Sequence, residues 1–286
     1  MTNPHLPKAT AALLFVSLMM LSTATSLAYN QTQTCNATGQ YACEVGETPL
    51  PVYWPQRCIV YHINDQGTTD TDNEAAFQAI EDSFNQWSEP SCNNLKLTFG
   101  GFTNDDQVGY NQASPSDNAN IIVFRDDNWP HSGGVLALTS VTFQPSTGKI
   151  FDADIELNTA EYRFSTTDNA LRVGIDVANT LTHEAGHFLG LDHSGVSGST
   201  MFATAPVGEV SKRDLAQDDI EGICSIYSSD TTAEDDACAG APQGYFEKPP
   251  TTTQGNGTSS GTCGVLGTCI VFGSGVGAVD AADALN

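Results

Sequence analysis

The sequence predicts an α+β fold in which helices pack on a β-sheet. The first reason is the order of the predicted elements, which runs strand, helix, three or four strands and then two helices. The second is the spacing of apolar residues, which alternates in the predicted strands and recurs every three or four residues in the predicted helices. The third is a dense histidine motif between positions 183 and 193, placed on the first of the two final helices.

The chain begins with a short apolar segment, residues 11–21, which carries no charge. This run is too short for a membrane helix, which needs about 20 residues. Lys8 precedes it, and Ser26-Leu27-Ala28 offers a small-residue cleavage site. We therefore predict a secretory signal peptide over residues 1–28, a secreted mature protein, and a short N-terminal extension over 29–51. No later run is apolar enough to span a bilayer.

The first strand and helix of the predicted domain, residues 52–228, follow the extension. Cys58–Ile63 alternates like a strand, with Ile59, Tyr61 and Ile63 on one face. Thr71 and Glu74 have the spacing of a capping box, which marks a helix start. Apolar residues at helical spacing then predict a helix over residues 74–88: Phe77, Ile80, Phe84 and Trp87.

Four further strands are predicted between this helix and the histidine motif. They are Leu95–Phe99, Ile121–Phe124, and the pair Val135–Phe143 and Ile150–Leu157, which a turn over residues 144–148 joins.

Two helices complete the domain. Asp176 is a candidate N-cap for the first, and Gly190 can adopt a left-handed conformation that ends it. The second is predicted over residues 217–227 because its apolar residues share one helical face: Ile220, Ile223, Cys224 and Tyr227.

Composition restricts the classes of partner and the compartment. The formal net charge of −24 disfavours nucleic acid and anionic membranes. All eight cysteines follow the signal segment, and an even number in an exported chain suggests disulfides. Connectivity cannot be deduced from sequence, but nearness along the chain suggests Cys35–Cys43, Cys58–Cys92, Cys224–Cys238 and Cys263–Cys269. Residues 229–286 are rich in Ser, Thr, Gly and Pro and are predicted to be a flexible tail.

The histidine motif carries the chemistry. His183 and His187 are four residues apart, so on a helix they lie on one face and can bind one metal ion together with His193. Three imidazoles leave zinc one open position, where a bound water has its pKa lowered to about 7. Glu184 would act as general base on that water during attack on a carbonyl. A buried helix with hydrogen-bonded histidines is the structural alternative.

These residues resemble the metzincin zinc peptidases. Met201 stands where that group has a methionine turn beneath the metal, and residues 217–227 resemble the final helix of its matrixin branch, the matrix-metalloproteinase-like enzymes. The resemblance implies a twisted mixed five-stranded sheet with three main helices and zinc in the cleft. It also implies that a protein or peptide substrate binds in extended form along an edge strand, here Val135–Phe143, and that residues 203–207 line a side-chain pocket.

The sequence departs from that family in its other metal ligands. Animal members hold a second, structural zinc, but only His131 is available upstream here, and Asp154 stands where a histidine is expected. We therefore predict one catalytic Zn²⁺ and no second zinc. Ca²⁺ through Asp152, Asp154 or Glu156 is left open, although alternating acids on a strand usually form its exposed face.

The function predicted from the sequence is that of a secreted zinc-dependent endopeptidase, with a zinc-bound water activated by Glu184. Two alternatives remain at this point. One is a secreted binding or adhesion module on the same fold without turnover. The other is a zinc hydrolase of a non-peptide amide or ester. The sequence gives no oligomeric state.

Overall fold

The computed structural model describes residues 29–37, 42–111, 113–114, 118–168, 174–229 and 268–275. The predicted signal peptide and most of the predicted tail lie outside these ranges. In chain order the elements are β1 (Asn30–Gln31), β2 (Cys58–Asn64), α1 (Asn73–Ser88), β3 (Lys96–Thr103), β4 (Asn120–Phe124), β5 (Val135–Phe143), β6 (Ile150–Leu157), β7 (Phe164–Ser165), β8 (Ile175–Asp176), α2 (Val177–Phe188), β9 (Leu191–Asp192), α3 (Gln217–Ile226) and β10 (Thr268–Gly275).

The main sheet is mixed and has the strand order β10-β5-β6-β4-β2-β3. Strands β3, β2, β4 and β6 are parallel to one another, and β5 is antiparallel to β6. The predicted α+β class, five-stranded mixed sheet and three main helices are confirmed. The sixth strand, β10, comes from the predicted tail and pairs antiparallel with β5.

This sixth strand corrects two predictions. Val135–Phe143 was expected to be an edge strand, whereas β5 lies between β6 and β10. The tail was expected to be flexible, whereas its residues 268–275 form a strand. Composition misled here, because Ser, Thr and Gly around the strand hide a short β-favouring stretch, Cys269-Ile270-Val271-Phe272.

Helices α1 and α2 pack against each other and against the sheet, so the main core lies between them and the strands. Trp87 of α1 is fully buried, and its Nε1 donates to Thr182 O of α2 at 2.9 Å. Phe84 stacks on Tyr61 and meets the edge of Phe188. These contacts fix the position of α2, which carries the histidine motif.

The start of α1 differs from the prediction. Its N-cap is Asp72, whose carboxylate accepts a hydrogen bond from Ala75 N, so the predicted capping box of Thr71 and Glu74 is wrong. The Thr71 hydroxyl instead contacts the Thr166 hydroxyl. Both threonine and aspartate can cap a helix, and the sequence alone does not show which of the adjacent residues Thr71 and Asp72 does so.

The bounds of α2 are set at both ends as predicted. Asp176 caps the start by accepting from Asn179 N at 2.8 Å, and Arg213 binds both oxygens of the same carboxylate. Gly190 follows the helix with φ +90°. A Cβ at Gly190 would lie 2.4 Å from Val52 O, so only glycine allows the chain to turn here.

The described part of the N-terminal extension packs against the predicted domain. Its strand β1 pairs with β9, the strand just before His193, and Thr32 N donates to Gly190 O. Asn30 Nδ2 donates to His193 O at 2.8 Å. The extension therefore holds the loop that carries the third histidine of the motif.

The disulfides agree with only part of the predicted pairing. Cys35–Cys43 is present, but Cys92 pairs with Cys224, so the predicted Cys58–Cys92 and Cys224–Cys238 bonds are wrong. The end of α1 and the end of α3 meet in space, where Ser229 N donates to Cys92 O, and nearness in sequence does not reveal this. Cys58 is also disulfide-bonded. The Cys263–Cys269 prediction lies outside the described side chains.

Within the described ranges, no helix combines the length and apolar character that crossing a bilayer requires.

Candidate metal centre

The three histidines of the motif converge on one point. His183 and His187 lie one turn apart on α2, and their Nε2 atoms are 3.2 Å apart. His193 follows β9, and one nitrogen from each of the three rings lies within 4.8 Å of the other two. The structure therefore brings together the three residues that the sequence predicts as metal ligands.

Hydrogen bonds from Nδ1 to backbone carbonyl oxygens fix the tautomers of two of these rings. His183 Nδ1 lies 2.6 Å from Thr200 O, and His187 Nδ1 lies 2.9 Å from Leu191 O. Because a carbonyl oxygen only accepts, both Nδ1 atoms carry the hydrogen and both Nε2 atoms keep a lone pair. The two lone pairs face each other at 3.2 Å. That arrangement is repulsive alone and favourable around a cation, so the donor set fits zinc.

The environment keeps these imidazoles in the form that binds metal. His183 and His187 are 1% and 0% exposed. Burial lowers the pKa of His183 well below its usual value, and the positive charge of Lys212 lowers it further. Burial also lowers the pKa of His187, with His193 adding to the effect. Neutral imidazoles at physiological pH can bind a metal ion without first releasing a proton.

Glu184 is fully buried next to His183, and β5 provides it with a partner. The Thr139 hydroxyl donates to Glu184 Oε2 at 2.6 Å and lies 3.2 Å from the backbone oxygen of the same residue. Thr139 is itself fully buried. Thr139 was not predicted as a site residue, since it lies 45 positions from Glu184 and nothing in the local pattern of β5 marks this hydroxyl.

The predicted methionine turn lies beneath the motif. Met201 is buried, and a Cβ added at Gly186 of α2 would meet its Sδ at 2.2 Å, so this glycine allows the close packing. Asp219 of α3 holds the turn in place, because its carboxylate accepts from Thr200 N, Met201 N and Ala216 N at 2.7, 3.0 and 2.9 Å.

Lys212 is a buried cation near this centre that the sequence analysis also missed. It is 3% exposed, and its Nζ donates to Phe202 O, directly after the methionine turn. Its backbone N–H donates to Asn179 Oδ1, which ties it to α2. Burial lowers the pKa of Lys212, while Glu209 and Glu184 act in the opposite direction.

Comparison with known families settles which of them this geometry belongs to. A family model described as Matrixin matches residues 53–228, which is nearly the whole of the predicted domain 52–228. This chain belongs to the matrixin family. The resemblance inferred from the sequence is thereby confirmed.

Several known matrixins are similar to the chain at moderate identity. The metalloendoproteinase 2-MMP of Arabidopsis thaliana is 27% identical over 178 residues, covering 62% of this chain and 43% of that protein. Rat matrilysin is 29% identical over 174 residues, covering 61% and 58%. Human neutrophil collagenase is 30% identical over 185 residues, covering 63% and 34%. The chain thus matches between about a third and three fifths of these relatives.

The acids on β6 of this matrixin are buried, contrary to the exposed face that the sequence suggested. Glu156 is bound by Arg125 Nε at 2.6 Å and His131 Nε2 at 2.8 Å. Burial alone would raise the pKa of Glu156, but the His131 and Arg125 contacts outweigh it and hold the pKa below its usual value. Glu156 and His131 are therefore engaged with each other. The predictions of a single zinc and of an open calcium site stay predictions.

Asp154, two residues before Glu156 on β6, is also buried, with 2% of its surface exposed. Its two oxygens accept from Gly109 N at 2.6 Å and Ile121 N at 2.8 Å. Burial outweighs these two donors and raises the pKa of Asp154 to about 7. In this matrixin the carboxylate therefore joins the loop at Gly109 to the sheet.

Proposed function

We propose that this protein is a secreted zinc-dependent endopeptidase. The observation that supports the proposal is the convergence of His183, His187 and His193 next to a buried glutamate, within a domain of the matrixin family. The secreted state rests on the predicted signal peptide over residues 1–28.

The three histidines would hold the zinc through neutral imidazole nitrogens. When bound there, zinc supplies a Lewis acid that polarises a carbonyl and makes a water available as hydroxide near neutral pH. Glu184 accepts the proton of the attacking water and passes it to the leaving amine. Thr139 holds Glu184 through one carboxylate oxygen, and the Thr200 and Leu191 carbonyls hold the two imidazoles on α2.

The substrate is proposed to be a protein or peptide in extended form beside β5. A peptide of almost any sequence could add to the side of β5 that faces away from β6, because main-chain hydrogen bonds supply the affinity. Residues 203–207, directly after the methionine turn, are proposed to line the pocket that selects one side chain. A complete set of His183, Glu184, His187 and His193 favours turnover over a purely adhesive role.

A digestion assay tests the proposal. The mature chain, loaded with zinc, is incubated with casein or gelatin, with and without a chelator, beside Glu184→Ala and Glu89→Ala. Glu89 is an exposed glutamate at the end of α1, so its replacement controls for the loss of a carboxylate. We expect Glu184→Ala to keep its zinc and to lose about 10²–10⁴-fold in kcat.

Two results would contradict the proposal. Digestion by Glu184→Ala at the rate of the parent chain would remove Glu184 from the mechanism. Undiminished digestion in the presence of a chelator that has removed the metal, checked by native mass spectrometry, would remove the zinc.

A further inference from the structure

The strand β10 covers the whole of β5 on the side away from β6. The pairing is antiparallel and runs from Thr268 opposite Phe143 to Gly275 opposite Val135, with one irregularity at its last residue. No other described strand lies on that side of β5. The backbone groups of β5 that would otherwise be open to an extended peptide are therefore already paired with the protein's own chain.

The register places β10 beside the proposed general base. Phe272 of β10 is the partner of Thr139, and the Thr139 hydroxyl is 2.6 Å from Glu184 Oε2. Strand β10 also lies against α2, the helix that carries Glu184 and two of the three histidines. The same stretch of backbone thus runs beside β5, which is the path assigned to a substrate under the proposed function, and it lies close to α2.

One side of one strand binds one partner at a time. A peptide that adds to β5 and the strand β10 would compete for the same N–H and C=O groups. Joining two binding partners in one chain gives an effective concentration that can reach the order of millimolar. This lies at the upper end of typical KM values, about 1 μM to 1 mM, so a substrate would have to compete with β10 at a disadvantage.

We propose that residues 268–275 are an intramolecular competitive inhibitor that occupies the substrate side of β5. This inference rests on the proposed function and adds the means by which that activity is restrained. The described part of segment 29–51 is built into the fold through β1 and β9, whereas β10 lies on the substrate side of β5.

Competition of this kind has a defined kinetic signature. If β10 is paired in about 90% of molecules, the apparent KM is about tenfold above its intrinsic value. The value of kcat does not change, because saturating substrate displaces the strand. Loss of the pairing should therefore lower KM about tenfold and leave kcat alone.

The test uses two consecutive prolines in β10 of the full mature chain, Ile270→Pro with Val271→Pro. Alternate residues of an antiparallel strand direct their N–H groups to the neighbouring strand. Of two consecutive residues, one therefore donates to β5, and its replacement by proline removes that hydrogen bond. Thr252→Pro with Thr253→Pro is the matched control, placed beside Pro249 and Pro250 in the same tail.

With zinc-loaded protein and a peptide substrate, we expect the β10 variant to show a KM about tenfold lower than the parent chain, at equal kcat. The control should match the parent, and a synthetic peptide of residues 268–275 should raise the KM of the β10 variant again. Equal KM values for all three proteins would overturn the inference. So would cleavage within residues 268–275, since β10 would then be a substrate.

Hydrogen exchange separates failure of this inference from failure of the proposed peptidase activity. In the Glu184→Ala background, which prevents self-cleavage, the β5 amides should exchange faster in the β10 variant than in the control. Equal exchange rates of the β5 amides in the variant and the control would show that β10 does not pair with β5, whatever the peptidase activity. Faster exchange, with no digestion by the catalytically intact parent, variant or control, would instead overturn the peptidase proposal and the inhibitory role with it.

Discussion

At the scale of single residues, the site depends on hydrogen bonds that hold the reactive groups rather than on those groups alone. The Thr139 hydroxyl binds one oxygen of Glu184, and the Thr200 and Leu191 carbonyls fix the two imidazoles of α2. A general base is effective only when its carboxylate stays within hydrogen-bond reach of the proton it removes. Thr139 is therefore interpreted as a positioning residue for Glu184.

Replacement of Thr139 tests this role. Thr139→Val keeps the shape of the side chain and removes the hydroxyl, and we expect kcat to fall roughly tenfold, the effect of one hydrogen bond to a charged group. KM and zinc content should stay the same. Thr139→Ser, which restores the hydroxyl, should recover most of kcat in a steady-state assay. A valine variant with the parent kcat, or a serine variant no better than valine, would contradict the role.

The residues of the candidate site differ in how far the sequence alone could point to them. His183, Glu184, His187 and His193 were predicted because they are close in sequence and their spacing fits one helix and one turn. Thr139 and Lys212 were not, because each reaches the site from a distant segment. Only the folded chain shows which buried hydroxyl and which buried ammonium group lie there.

At the scale of elements, α3 supports the metal centre through a single carboxylate. Asp219 accepts three backbone N–H groups, two from the methionine turn and one from the start of its own helix. Because Thr200 O in turn accepts from His183 Nδ1, these contacts run from α3 through the turn to a predicted zinc ligand. The amphipathic pattern of residues 217–227 predicted the helix and its buried face, but not this attachment.

Loss of the Asp219 carboxylate should destabilise the whole domain. Asp219→Ala leaves three backbone N–H groups without their acceptor, and we expect the free energy of unfolding to fall by about 2–4 kcal/mol. Glu221→Ala, on the same helix, is the control and should change stability little, because its carboxylate accepts from the exposed Gln217 side chain rather than from the backbone. Denaturant unfolding of both zinc-loaded variants gives the comparison. Equal midpoints would show that the turn holds without Asp219.

At the scale of the whole molecule, the free energy of unfolding depends on pH through buried ionisable groups. His62 on β2 is 2% exposed, and burial lowers its pKa to about 4, against the hydrogen bond to Gly101 O. An unfolded histidine titrates near 6.5. Between these values the unfolded chain binds more protons than the folded one, so the contribution of His62 to stability is lost as the pH falls from about 6.5 to about 4.

His62→Asn removes this titration and retains a donor for Gly101 O. We expect the variant to lose less stability than the parent between pH 7 and pH 4.5, measured by urea unfolding at both pH values in the zinc-free proteins. If both proteins lost the same free energy of unfolding between the two pH values, the pKa of His62 would not differ between the folded and unfolded states.

The arrangement of the whole chain was predictable only for the domain. The mixed sheet and its helices follow from local patterns and from the family resemblance, and the predicted strand β5 has the observed bounds. The addition of β10 and the Cys92–Cys224 bond are contacts between segments far apart in sequence. A single sequence carries no local signal for pairings between such distant segments.

The central claim is that three histidine nitrogens of this chain bind one zinc ion. X-ray absorption at the zinc edge of the purified mature protein tests it most directly. The structure predicts three imidazole nitrogens at about 2.0–2.1 Å and one further light atom, with one nitrogen lost in His193→Ala. A sulfur ligand at about 2.3 Å, or a spectrum that His193→Ala leaves unchanged, would contradict it.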